Sequence, residues 1–263
     1  MAGNKSLPEY FYRYYRFKGP EIDKDEIEPI FMDSALYFIP PSKFNDPFDC
    51  RSPILYNGSK KRWNYWLTEQ IEKRYPNYSA NEKKEIFNKM VSNKKTMTPE
   101  YISEKLELVF KDRIGVLCLS EVSDSILMWA HYTSGYKGFC LEFNNPTRIQ
   151  LFQKALTVRY RKKYPLCNYF TTSNLDKMRA ALLTKSNLWK YEKEWRIIEH
   201  ESGPGWYHFP KELLTGIIFG SEIEKDNSDL IINWANKYGF NPDYYIVKPD
   251  REKYQLVIER LDA

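Results

Sequence analysis

The sequence predicts an α+β fold with a mixed or antiparallel sheet and helices packed to one side. Strand-forming runs are short and numerous, and helical stretches interrupt them irregularly. The regular strand–helix alternation of a doubly wound parallel sheet is missing. A chain of 263 residues can bury a substantial core. One domain over 1–263 is expected, carrying a helical insertion at about 60–112.

FYRYYRF at 11–17 is rich in β-formers and reads as the first strand. Ile22, Ile27, Ile30 and Phe31 then suggest a short amphipathic helix with acids near its start. ALYFI at 35–39 is a second strand, stopped by Pro40 and Pro41. SKFNDPFDC follows with turn chemistry in Asn45, Asp46 and Pro47. Residues 60–112 turn helical and strongly charged. Within them Thr98 caps, Pro99 opens a helix, and Ile102, Leu106, Val109 and Phe110 share a face.

IGVLCLS at 114–120 returns to strand, and SDSILMWAHY begins with a Ser-Asp cap as a short helix. YKGFCLEF at 136–143 and ALTVRY at 155–160 are strands, and a helix is expected over about 172–187. EWRIIEH, GWYHF and TGIIFG continue as strands. A polar helix over about 225–238 precedes the strands YYIVK and YQLVIER.

Composition excludes several classes. No apolar h-region opens the chain and no run approaches a membrane span, so a soluble, cytoplasmic protein with no membrane partner is expected. Cys50, Cys118, Cys140 and Cys167 are widely spaced and form no CxxC, and His131, His200 and His208 make no ligand spacing with them. Neither a disulfide framework nor a metal site is expected. A formal charge of +5 permits an anionic partner without demanding one. GxGxxG, GxxxxGK[ST] and GxSxG are absent, which removes the Rossmann, P-loop and serine-hydrolase readings.

The chemistry concentrates in a few segments. In KYEKEWRII, Glu192 and Glu194 lie two apart and share a face if both are on a strand, with Arg196 beyond them. Two close carboxylates repel, which suits a site that grips a ribose and steadies positive charge. A solvated strand edge with Lys193 and Arg196 as counter-charges is the plainer alternative. In FYRYYRF, Arg13 and Arg16 are either phosphate clamps or cations lying over neighbouring tyrosines. Asn45, Asp46 and Asp49 make either an Asx-bonded turn or a loop presenting polar groups to a pocket.

Ser120 ends a buried-looking strand, and Trp129, His131 and Tyr132 close the short helix after it. A lone histidine amid aromatics is more often structural than catalytic. VRYRKKYPLCNYF at 158–170 interleaves basic and aromatic residues, as single-stranded nucleic-acid grooves do, although an ordinary loop has the same composition.

YRYYRF, ALYFIPPSKFNDPFDC, GVLCLSEVSDSILMWAHYTSGYKGFCLEF and KYEKEWRII occur in an order that resembles a bacterial domain-of-unknown-function family. The likeness covers most of 10–220. The chain also resembles, more distantly, ADP-ribosyltransferases, including toxins that modify DNA. That resemblance implies a sheet core of their type, NAD as substrate, and Glu194 as catalytic residue with Glu192 positioning the acceptor. It implies that Arg13, and with it Arg16, holds the NAD phosphates, and that Tyr14 or Trp129 stacks on nicotinamide. His131 and Tyr132 fall in the same cofactor-binding set, and Asn45, Asp46 and Arg196 in the substrate-binding set. Ser120 matches the serine of the middle strand, although the usual Ser-Thr-Ser triplet is missing here. The implied function is an NAD-consuming toxin or phage-defence effector acting on nucleic acid or protein, with an antitoxin or other regulatory partner. A nucleic-acid-binding module and an inactive scaffold of the same fold are the alternatives.

Overall fold

The computed structural model describes residues 6–18, 23, 25–51, 53–55, 57–92, 111–145 and 150–261. The helix expected over 98–110, with Thr98 and Pro99, lies outside them. In chain order the elements are β1 (Tyr10–Tyr15), α1 (Glu28–Met32), β2 (Ala35–Phe38), β3 (Ile54–Leu55), α2 (Lys60–Arg74), α3 (Ala80–Ser92) and β4 (Gly115–Ser120). Next come α4 (Ile126–Tyr132), β5 (Phe139–Asn144), α5 (Gln150–Gln153), β6 (Leu156–Thr157), β7 (Arg159–Arg161) and β8 (Cys167–Asn168). The chain continues through α6 (Asn174–Leu182), β9 (Thr184–Ser186), a 3-10 turn (Asn187–Glu192), β10 (Glu194–Glu199) and β11 (Gly205–His208). It closes with β12 (Leu214–Phe219), α7 (Lys225–Lys237), β13 (Asp243–Pro249) and β14 (Leu256–Arg260).

Eight strands form one sheet in the order β14-β13-β12-β5-β1-β4-β10-β6. Among the described residues its pairings are antiparallel except β12 with β13. The α+β class and the mostly antiparallel sheet therefore stand. Alternation along the strands sends side chains to two cores. Phe139, Leu141 and Phe143 of β5, with Ile217 and Phe219 of β12, join α1 and α7 on one face. Cys140 and Ile218 pack with Trp129 of α4 on the other. Helices thus cover both faces rather than one side, because central strands carry apolar residues on both. At the start of β5 the backbone of Tyr15 comes so close that a Cβ on Gly138 would stand 2.0 Å from its carbonyl oxygen. Only glycine fits there.

Two expected elements split. ALTVRY divides into β6, which joins β10, and β7, which pairs with β9 in a separate ribbon. The helix expected over 172–187 ends at Leu182, and 184–186 become strand instead. The cap of α4 is Ser125, whose hydroxyl accepts from the Met128 amide, not the Ser-Asp pair before it. Among the described residues, no helix is long and apolar enough to cross a membrane, and no cluster of His, Cys, Asp or Glu could hold a metal ion.

Candidate functional site

β1 pairs with β5 along its whole length, and β4 does the same with β10. Between β1 and β4 the sheet is held at one register position, Tyr12 opposite Ser120. Beyond it the strands part. Arg13 reaches across the gap and donates from Nη1 to the Cys118 carbonyl at 2.9 Å. Further along, Ile39 takes over the edge of β4, exchanging two backbone bonds with Val116 at 2.9 and 3.1 Å. A cavity of about 830 Å³ opens where the strands diverge. Arg13, Arg16, Lys18 and Lys43 give it cations, Glu192, Glu194 and Asp49 carboxylates, and Tyr14, Tyr37 and Trp206 aromatic rings.

The carboxylates belong to a buried ion cluster. Arg196 is fully buried, and each of its nitrogens is engaged. Nε donates to Glu194 Oε1 at 2.7 Å, and Nη2 to Glu194 Oε2 at 3.0 Å and Asp49 Oδ2 at 2.6 Å. Nη1 donates to Asp49 Oδ1 at 3.0 Å and the Leu182 carbonyl at 2.8 Å. Lys185 Nζ lies 2.5 Å from Glu192 Oε2, 3.1 Å from Glu194 Oε2 and 3.4 Å from Asp49 Oδ2. Two cations therefore face three carboxylates.

The three groups that decide the protonation of this cluster respond differently. Burial alone would raise the Glu194 carboxyl, but the Arg196 guanidinium and the Lys185 ammonium outweigh it and hold it well below the usual carboxylate range. Burial likewise works against the Lys185 charge, which Glu194, Glu192 and Asp49 more than restore. For Glu192, burial pushes the carboxyl up to about 7, with Glu194 adding to the rise and Lys185 opposing it. Its Oε1 accepts from the Tyr132 hydroxyl at 2.6 Å. Glu192 is thus the member of the cluster poised to exchange a proton near neutrality.

Glu192 is not on the strand. It ends the 3-10 turn, Lys193 takes a left-handed conformation (φ 43°), and β10 begins at Glu194. The two carboxylates meet because both bind Lys185, not because alternation aligns them. The solvated-edge alternative fails, since Glu192 is 3% and Glu194 5% exposed.

Of the residues singled out in the sequence, Arg13, Tyr14, Arg16, Asn45, Ser120, His131, Tyr132, Glu192 and Glu194 all line this one cavity. Arg13 also lies over the Tyr15 ring, 5.3 Å from its centroid, and donates from Nε to the Tyr15 hydroxyl at 2.7 Å, which is the cation-over-tyrosine alternative. Arg16 is exposed and makes no hydrogen bond or ion pair among the described residues. Tyr14 donates to the Val122 carbonyl at 2.8 Å. His131 is exposed, its ring 6.2 Å from Trp189 and 6.3 Å from Tyr191. The Ser120 hydroxyl donates to the Glu192 carbonyl at 2.7 Å and accepts from the Val122 amide at 3.1 Å, bracing the turn before β10.

Three residues do not line the cavity. Trp129 is fully buried, with Nε1 donating to the Ser123 carbonyl at 2.7 Å, so its indole belongs to the core and not to a stacking surface. Arg196 spends its guanidinium on Asp49 and Glu194, so it positions acids rather than substrate. Asp46 accepts from the Phe48 amide at 2.8 Å, the Asx turn of the plainer reading.

Sequence reasoning missed Lys185, which it placed inside a helix. It saw Asp49 as part of a turn without its partner Arg196, 147 positions away. Tyr37 and Trp206 carried no signal beyond strand propensity.

The sequence model of one protein family, described as a protein of unknown function (DUF2971), matches residues 128–197. The matched stretch runs from α4 to the middle of β10 and contains Tyr132, Lys185, Glu192, Glu194 and Arg196. Comparison with curated proteins and with solved structures gives no significant match.

Proposed function

We propose that this cavity binds NAD and transfers its ADP-ribose to an acceptor, in the manner of the ADP-ribosyltransferases that the sequence resembles. The observation that carries the reading is the convergence, on one cavity, of guanidinium groups from β1 and the residue after it and a buried carboxylate pair from the segment around β10. Arg13 and Arg16 both line the cavity, and planar guanidinium groups grip a diphosphate better than ammonium does. Cleaving the nicotinamide–ribose bond sends the electron pair out with nicotinamide and leaves C1′ with oxocarbenium character. Glu194, whose carboxyl Arg196 and Lys185 hold below the usual carboxylate range, steadies that charge. Glu192 takes the proton of the acceptor as its nucleophile bonds to C1′. The expectation of a toxin or phage-defence role rests on the resemblance alone.

A second reading has an observation in its favour. Both Glu194 oxygens are already held by cations, which suits a nucleotide-binding scaffold without turnover.

Incubating the purified chain with NAD separates the two. Release of nicotinamide supports the enzyme, whereas NAD binding without release supports the scaffold. Glu192→Gln should lower the release rate about 10²-fold or more, the usual scale of a lost general base. Glu194→Gln should also abolish it, with the folded fraction checked by circular dichroism because that change leaves Arg196 and Lys185 undercompensated. An unaltered rate in both variants would dismiss the catalytic assignment.

A further inference from the structure

The cavity has a second wall, and it is aromatic. Tyr37 of β2 and Trp206 of β11 are cross-strand partners in a two-stranded ribbon separate from the main sheet. Their rings meet edge to face with centroids 5.2 Å apart, and both line the cavity. Each is 38% exposed although large and apolar. The alternate residues Leu36 and Phe38 of the same strand are buried in the core, so the strand's ordinary apolar work is done by its other face. Tyr37 and Trp206 therefore present ring surface to the cavity with no packing role that requires it.

Cations line the same cavity, as do Asp25 and Glu26, the latter paired with Lys18. Lys43 leaves the short turn after β2, and Arg16 follows β1; both are exposed and line the cavity, and neither side chain makes a hydrogen bond or ion pair among the described residues. An aromatic surface beside unengaged cations matches a purine base joined to phosphate: the base stacks, and the phosphates meet the cations. The acidic cluster, by contrast, would repel phosphate. It stands on the wall built by β10, β9 and the 3-10 turn. The cavity thus offers ring surface and unengaged cations for base and phosphate, and a carboxylate cluster for a sugar carrying developing positive charge.

We infer that Tyr37 and Trp206 form the purine-binding subsite of this cavity, taking the adenine of an adenosine diphosphate-type ligand with Arg16 and Lys43 on its phosphates. The inference rests on the NAD reading for the orientation of the ligand. It rests on that reading for the identity of the base as well, because ring stacking alone accepts any base; the existence of a stacking subsite is tested with AMP independently of turnover.

Calorimetric titrations of the full chain with AMP, nicotinamide mononucleotide and inorganic diphosphate decide the matter, with Trp206→Ala, Tyr37→Ala and Trp206→Phe as variants. AMP affinity should fall about tenfold in Trp206→Ala, the scale of one lost base stack, and should be largely restored in Trp206→Phe. Tyr37→Ala should show a smaller loss. Affinity for diphosphate and for nicotinamide mononucleotide should be unchanged in all three. AMP affinity that is absent in the unaltered chain, equal in every variant, or lost in parallel with diphosphate affinity overturns the subsite. Selective loss of AMP binding in a chain that never releases nicotinamide from NAD upholds the subsite and defeats the enzymatic reading.

Discussion

Two lysine–glutamate pairs of almost the same length sit in opposite surroundings. Lys185 meets Glu192 at 2.5 Å, with both side chains almost wholly buried. Lys83 of α3 meets Glu72 of α2 at 2.6 Å, with the glutamate more than half exposed and the lysine side chain 16% exposed. In water the second pair is screened and gains little over its hydrated parts. Inside the protein the same contact is one edge of a five-residue cluster, whose members cannot lose a partner without stranding a charge. Burial, not contact distance, makes one pair part of a site and the other an ornament of a helical hairpin.

The sharpest way to break that contrast is Arg196→Met. It removes the fully buried one of the two cations that Glu194 and Asp49 share, and denaturant unfolding should show a loss of about 3–5 kcal/mol, the scale of a severed buried pair. A loss below about 1 kcal/mol would mean that the cluster is far wetter than its burial implies.

The pH dependence of stability comes next. The folded-state pKa of Glu192, about 7, exceeds the ordinary value of 4.5. Between these values the folded chain binds more protons than the unfolded one, so this group's stabilising contribution is present at low pH and lost as pH rises toward 7. Glu194 has the opposite sign, with a contribution lost as pH falls below the ordinary carboxylate range. Stability measured from pH 5 to 7.5 should slope downward in the unaltered chain and flatten in Glu192→Gln.

Tyr132→Phe gives a smaller change in the same direction of inquiry. Its hydroxyl stabilises the ionised form of Glu192, so its removal should move the acid limb of nicotinamide release to higher pH, with little change in the plateau. An unmoved limb would detach Glu192 from that limb. The smallest effect belongs to the Lys83–Glu72 pair: Glu72→Ala, at its exposed end, should cost about 0.5 kcal/mol or less and lose even that at high salt.

Much of the fold was legible because its signals are local. Runs such as GVLCLS, EWRII and TGIIF are short, apolar and β-branched, and they became strands almost where expected. The candidate site was legible in its members, since most of the chemistry-bearing residues of five separate segments line one cavity. Their roles were less so. The i, i+2 spacing of Glu192 and Glu194 suggested a shared strand face, and a left-handed Lys193 removed that reason while preserving the result. TKS at 184–186 sits between a helix and a 3-10 turn, and its strand character comes from pairing with β7, which no short window contains.

By itself, the sequence determined the α+β class, the strands of the main sheet and the inventory of acids, guanidinium groups and aromatic rings, because propensity and periodicity are properties of neighbours along the chain. Only the tertiary structure decided where the sheet parts, which cation faces which carboxylate, and that Trp129 and Arg196 lie under the cavity's lining while Tyr37 and Trp206 face into it. Burial sets the dielectric around each group, and it is the sum of contacts from segments far apart in sequence.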